Sequence, residues 1–81
     1  MNIRTSLLIG KLFGTISNLA ADDFTIHAVY DTRINWISVD VYKGAYKDDM
    51  EFDDLSAYIT AESVITLEDE LIQLHKDWRN K

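Results

Sequence analysis

Eighty-one residues with no cysteine, no proline, 47% hydrophobic content and a net charge of −6 describe one small acidic domain spanning residues 1–81. A chain this short buries roughly 60–65% of the surface its unfolded form exposes, so its stability must come from a compact apolar core or a partner subunit. The charge repels DNA, RNA and anionic membranes, which excludes free association with them and favours basic proteins or basic clefts as partners.

No apolar run approaches the roughly 20 residues needed to span a bilayer. A secretion signal would use Arg4 as its charged start, Leu7 to Ile16 as its apolar run and Ala20–Ala21 at its cleavage site. Lys11 and two glycines interrupt that run, and Asn18 or Leu19 sits where a small residue is required, so the segment reads as a domain helix. The absence of cysteine leaves the redox compartment unspecified, and the cytoplasm is the expected location.

In chain order, Ile9, Leu12, Phe13, Ile16, Leu19 and Ala20, with Leu8 alongside, recur at helical spacing, while Lys11, Thr15 and Asn18 take the opposite side. Asn2 or Thr5 is positioned to cap this helix, and Asp22–Asp23 ends its pattern. Gly10 and Gly14 flank the stripe and predict a close approach to the sheet or to another helix.

Alternation follows. Phe24, Ile26, Ala28 and Tyr30 share one parity, and Ile37, Val39 and Val41 resume it after a polar interruption. A connection centred on Thr32–Arg33 predicts a hairpin pairing Ile26 with Val39, His27 with Ser38, Ala28 with Ile37 and Val29 with Trp36. Thr-Arg suits a four-residue loop better than a tight primed turn.

Lys43 to Asp54 form a polar stretch. Leu55, Ala57 and Ile59 then alternate with Ser56, Tyr58 and Thr60, which predicts a short third strand; a helical turn capped by Asp53 or Asp54 competes with it. The closing helix carries Val64, Leu67, Leu71, Leu74 and Trp78 at spacings of three and four, widened by Ile65 and Ile72. Thr60 or Ser63 is placed to cap it, and Lys76, Arg79 and Lys81 suit its C-terminal dipole. The fold class is α+β: a two-layer sandwich of N-terminal helix, antiparallel hairpin with a short third strand, and C-terminal amphipathic helix.

Two histidines, His27 and His75, lie on different elements with no HExxH-like spacing, so neither a metal site nor a cofactor is expected. A diagonal His27–Asp40 contact is geometrically open, but no nucleophile is positioned to complete a triad, and the chain reads as a non-enzyme. The sheet face away from the helices would present His27, Val29, Trp36, Tyr42 and Tyr58. Trp and Tyr are frequent anchors at interfaces, and they also pair across strands for purely structural reasons. Stacking on single-stranded nucleic acid needs interleaved cations, and this region offers only Arg33 and Lys43.

Charge is distributed unevenly. Residues 1–39 are neutral, whereas residues 40–70 carry Asp40, Asp48, Asp49, Glu51, Asp53, Asp54, Glu62, Glu68, Asp69 and Glu70 against two lysines. A solvated loop and the acidic first turns of a helix account for some of this. The functional alternative is a negative surface for a basic cleft, in the limit imitating a phosphate backbone. Its candidate residues are Asp48, Asp49, Glu51, Asp53, Asp54, Glu62, Glu68, Asp69 and Glu70, with Trp36 or Tyr42 as an apolar anchor. In size, acidity and fold class the chain resembles the general type of phage anti-host inhibitors and bacterial immunity or antitoxin proteins. That resemblance implies a non-enzymatic inhibitor of a basic, nucleic-acid-binding protein. The alternative is a structural or assembly module that homodimerises through the aromatic sheet face or a helix stripe.

Overall fold

Asn2 opens the first helix by accepting a hydrogen bond from the Thr5 amide at 2.8 Å, one of the orphan donors that every helix start must satisfy. The computed structural model, which describes residues 2–44, 47 and 50–80, continues from this cap through α1 (Ile3–Leu19), β1 (Phe24–Asp31) and β2 (Trp36–Lys43). Two very short strands, β3 (Asp53–Asp54) and β4 (Ala57–Tyr58), precede α2 (Ala61–Arg79). The α+β arrangement expected from the sequence is the one observed.

β2 is the central strand. It pairs antiparallel with β1 on one side and with β3 and β4 on the other. β3 and β4 hold one constant register against it: Val41 faces Asp53 and Ile37 faces Ala57. The Leu55 amide donates to the Val39 carbonyl at 2.7 Å, and the Ile59 amide to the Asn35 carbonyl at 2.8 Å, so the register runs on between and beyond the two short pieces. The expected third strand is therefore present, and Asp53–Asp54 belong to it rather than to a helical turn.

The hairpin register differs from the sequence expectation by two residues: Ile26 faces Val41, His27 faces Asp40, Ala28 faces Val39 and Val29 faces Ser38. The cause lies in the loop. Asp31 accepts from the Arg33 amide at 3.0 Å and from its guanidinium, a clamp that also holds the Asp31 carboxyl below the ordinary carboxylate range. Asn35 takes a left-handed conformation (φ 55°), which Asn tolerates better than most residues, and its side-chain amide donates to the Ile59 carbonyl at 3.0 Å. The loop is thus centred on Arg33–Ile34. A two-residue shift preserves side-chain parity, so every residue stays on its expected face.

α2 starts with a reciprocal capping box in which Thr60 and Ser63 satisfy each other's backbone amides. Its far end reaches β1, where His75 and Trp78 pack on Phe24 at ring distances of 5.0 and 5.1 Å. α1 also ends close to Phe24, five residues upstream of it, so both helices run from the hairpin end of the sheet to the Phe24 end. They lie side by side on one face, over a core in which Leu12, Phe24, Ile37, Val39, Val41 and Leu71 are completely covered. Gly10 and Gly14 do not serve the close approach expected of them, because a Cβ built on either meets nothing within 4 Å.

Leu71 sits at the centre of this core. Leu71→Ala is expected to cost about 2–4 kcal/mol through lost transfer energy and the cavity left behind. Denaturant titration measures it, and an unchanged midpoint would mean that α2 does not seal the core.

Candidate functional site

Three of the four sides of this sandwich differ in chemistry, and the difference follows from which side chains each element turns outward. On α2, the residues that flank the covered stripe toward β3 and β4 are Glu62, Thr66, Glu70, Gln73 and Asp77, again at spacings of four and three. Against them lies the edge strand of the sheet. Between the two runs an open groove with a first section of about 450 Å³ and a second of about 290 Å³; Asp54, Leu55 and Glu70 line both. Leu55, Ala57, Leu67 and Leu74 give it an apolar floor. Glu62, Glu70 and Asp77 rim it with carboxylates from α2 and Asp53 adds one from the edge strand, while Asp54 borders it with its carboxylate turned to Ser56.

The backbone of the edge strand adds a second recognition element. Val39 accepts from Leu55, so the odd-numbered residues of this strand turn their amides and carbonyls inward to β2. Those of Asp54 and Ser56 consequently point outward along the groove. The Ser56 hydroxyl bonds the Asp54 carboxylate and the Ser38 hydroxyl, which ties the strand's polar side chains to the sheet. Thr60 and Ser63 close the groove at its N-terminal end.

The sequence-predicted acids divide on this geometry. Asp53, Asp54, Glu62 and Glu70 come together along the groove. Asp53 is partly neutralised there, since the Lys43 ammonium lies 2.9 Å from its Oδ2, at angles outside hydrogen-bond geometry. Glu51 lies next to them, in a separate hollow of about 290 Å³ with Met50, Phe52 and Lys43. Asp69 is exposed on the side of α2 opposite the core.

Glu68 belongs elsewhere. It is only 8% exposed, accepts from the Thr15 hydroxyl at 2.7 Å and lies 3.4 Å from the Lys11 ammonium, so its carboxylate joins α2 to α1 instead of facing a partner. Asp48 and Asp49 lie outside the described residues. Asp77 was not among the sequence candidates, because it sits in the net-basic C-terminal segment; its i+7 spacing from Glu70 is the signal that places it on the groove side. Gln73 donates to Asp77 at 2.9 Å and holds that carboxylate in place.

Trp36 and Tyr42 occupy the sheet face that no helix covers. Trp36 meets Tyr58 edge-on at 4.8 Å and Tyr42 meets Phe52 at 5.2 Å, so the aromatics form two clusters at opposite ends of that face. Between them lie Ser38, Ser56, Asp40 and His27, whose ring stands directly across from Asp40, Nδ1 to Oδ2 3.9 Å, where a diagonal contact had been expected. Val29, opposite Ser38 and 48% exposed, is the apolar residue of this central stretch, and the aromatic rings stand only at its ends, unlike a continuous stacking platform. Tyr58 is nevertheless 67% exposed and Phe52 51%, so both rings contribute accessible apolar surface.

Among the described residues, no group of three or more His, Asp or Glu is placed to hold a metal ion, and no helix is long and apolar enough to cross a membrane. Comparison with protein-family models, with curated proteins and with solved structures finds no match.

The division between structural and surface acids has a direct consequence. Glu68→Ala is expected to destabilise the fold by about 1–3 kcal/mol, since it strands the Thr15 hydroxyl at the helix interface. Asp69→Ala, one residue on, should change stability by under about 0.5 kcal/mol. Thermal melts of the two variants separate these outcomes; equal small shifts would mean that the Glu68 link contributes nothing.

Proposed function

We propose that this chain is a non-enzymatic, cytoplasmic binding protein whose acidic groove takes a basic segment of a nucleic-acid-binding protein and thereby inhibits it. The observation that carries this reading is the combination of carboxylates from two elements above an apolar floor, next to outward-facing backbone donors and acceptors. Charge alone would suit any cation. A floor of Leu55, Ala57, Leu67 and Leu74 asks in addition for aliphatic or aromatic side chains, and a strand edge asks for an extended backbone.

Spacing refines the partner. At 1.5 Å rise per residue, Glu62 and Glu70 stand about 12 Å apart along α2, and Glu70 and Asp77 about 10 Å. An extended segment rising about 3.3 Å per residue matches this with a cation every third or fourth position. A DNA strand presents a phosphate about every 3.4 Å of rise, a density this stripe does not reach. Apolar contacts therefore share the recognition, and imitation of nucleic acid is confined to competing for the same basic surface. Long-range attraction between the −6 chain and a cationic partner accelerates encounter, and salt weakens it, with a screening length of about 8 Å at physiological ionic strength.

The test uses a fluorescent extended peptide with Arg or Lys at every third or fourth position and Leu or Val between. Its affinity for the parent protein should fall steeply with added salt. In the quadruple variant Asp54→Asn, Glu62→Gln, Glu70→Gln, Asp77→Asn, affinity at low salt should drop at least tenfold and the salt dependence should flatten, with the fold retained. A basic nucleic-acid-binding partner captured by the parent should also be released by duplex DNA. Equal peptide affinity for parent and variant at low salt would contradict the proposal.

A further inference from the structure

The opposite flank of the sandwich has the reverse chemistry. β1 is the other edge of the sheet, and among the described residues no strand lies on its outer side. Two bonds fix the direction of its backbone groups. Val39 turns its carbonyl toward the Leu55 amide, so its neighbours Ser38 and Asp40 turn theirs toward β1. At the strand's start the Gly44 amide donates to the Asp23 carbonyl at 2.7 Å, which sets the same alternation from the other end. Thr25, His27 and Val29 are thus the residues bonded to β2, and the amides and carbonyls of Ile26 and Ala28 point away from the sheet. Phe24, of the same parity, exchanges its own pair with Ala21 at 3.1 Å.

Exposed edges of this kind are usually guarded by lysine, proline, a bulge or a covering segment. β1 has an eight-residue run, Phe-Thr-Ile-His-Ala-Val-Tyr-Asp, with no lysine and no proline, whose single carboxylate is clamped by Arg33. The helix above it is equally uncharged on this side. Lys11 and Thr15 mark the side of α1 that meets α2, and Leu12 and Ile16 the side that meets the core. The remaining flank, at helical spacing, consists of Ser6, Gly10, Phe13 and Ser17, and Gly10 leaves open space where a Cβ would stand.

We propose that β1 pairs antiparallel with β1 of a second copy of this chain, across a two-fold axis at His27, extending the sheet through both molecules. Self-pairing is favoured over pairing with a foreign strand on two grounds. Copies of a chain with net charge −6 repel one another, and β1 with α1 is the flank on which the acids are fewest: none on α1, Asp31 alone on β1, and Asp22 and Asp23 in the turn between them. The outward groups also match themselves. With the axis at His27, Ile26 of each copy faces Ala28 of the other and exchanges two hydrogen bonds with it, and Phe24, already bonded to Ala21, marks the end of the pairing. The two α1 helices then flank the axis on the same side of the sheet, where Ser6, Gly10 and Ser17 permit close approach. The acidic grooves lie on the outer edges of the dimer, so both remain open to partners.

Amide hydrogen exchange read residue by residue, together with sedimentation over a wide concentration range, tests this. A reversible dimer is expected. In it the Ile26 and Ala28 amides become protected as concentration rises, while those of Thr25, His27 and Val29 are protected throughout. Ala28→Pro removes an outward amide that β2 does not use, and His27→Lys opposes two ammonium groups at the axis; each should raise the dissociation constant at least tenfold while leaving cationic-peptide binding intact. A monomer at every concentration would overturn the proposal. So would a dimer in which the Ile26 and Ala28 amides exchange as fast as in the monomer, since the aromatic face or the α1 stripe would then hold it. If Ala28→Pro fails to fold, the exchange pattern of the parent and the His27→Lys variant still decide.

Discussion

Ile37, Val39 and Val41 lie completely covered on the helix side of β2, while the backbone of that strand is bonded on both flanks. An 81-residue chain without disulfides has little else to fold around. Burying three β-branched side chains under two helices requires β2 to be the middle strand, and a middle strand requires partners on both sides. The short segment 53–59 supplies the second partner despite its polar residues, because Leu55, Ala57 and Ile59 share the core parity and their amides find carbonyls on β2 and the hairpin loop. Among the described residues β1 lies on one side of β2 and the short β3 and β4 on the other, so both sides of the sheet end in edges, and with both helices on one face the other face is bare. The surfaces available for recognition thus follow from how the core is closed.

The two edges are chemically opposite. Beside α2, Glu62, Glu70 and Asp77 point toward the Asp54 side of the sheet, and the groove between them is acidic over an apolar floor. Beside α1, serines, a glycine and a phenylalanine stand over uncharged strand residues. A net charge of −6 spread evenly would make each side moderately repellent to another copy and moderately attractive to cations. Segregated, it leaves the β1–α1 flank poor in acids and the flank of α2, β3 and β4 rich in them. Glu68 illustrates the cost of placing acid between the two helices: it is accommodated only through Thr15 and Lys11.

Element types, order and faces were legible in the sequence because periodicity reports side-chain direction, and direction survives a register error of two. The register itself was not legible. It depends on Asn35 adopting a left-handed conformation and on Asp31 clamping Arg33, both properties of a loop whose composition fits several lengths. The glycines misled, because GxxxG marks where a helix can approach another body without saying that one is present within the chain. The acidic candidates were grouped by their place in the sequence and not by geometry. Linear charge counting grouped Glu68 with Glu70 and left Asp77 among the bases, whereas helical spacing turns Glu68 toward α1 and sets Glu70 and Asp77 on the same flank.

Backbone amide chemical-shift mapping during titration with a cationic, extended peptide tests the central claim most directly, namely that recognition resides in the acidic groove. The account predicts shifts concentrated at Asp54, Ser56 and Ala57 on the edge strand and at Thr66, Glu70 and Gln73 on α2, diminishing as salt is added. Shifts concentrated instead at Trp36, Ser38 and Tyr58 would place recognition on the bare sheet face and contradict it.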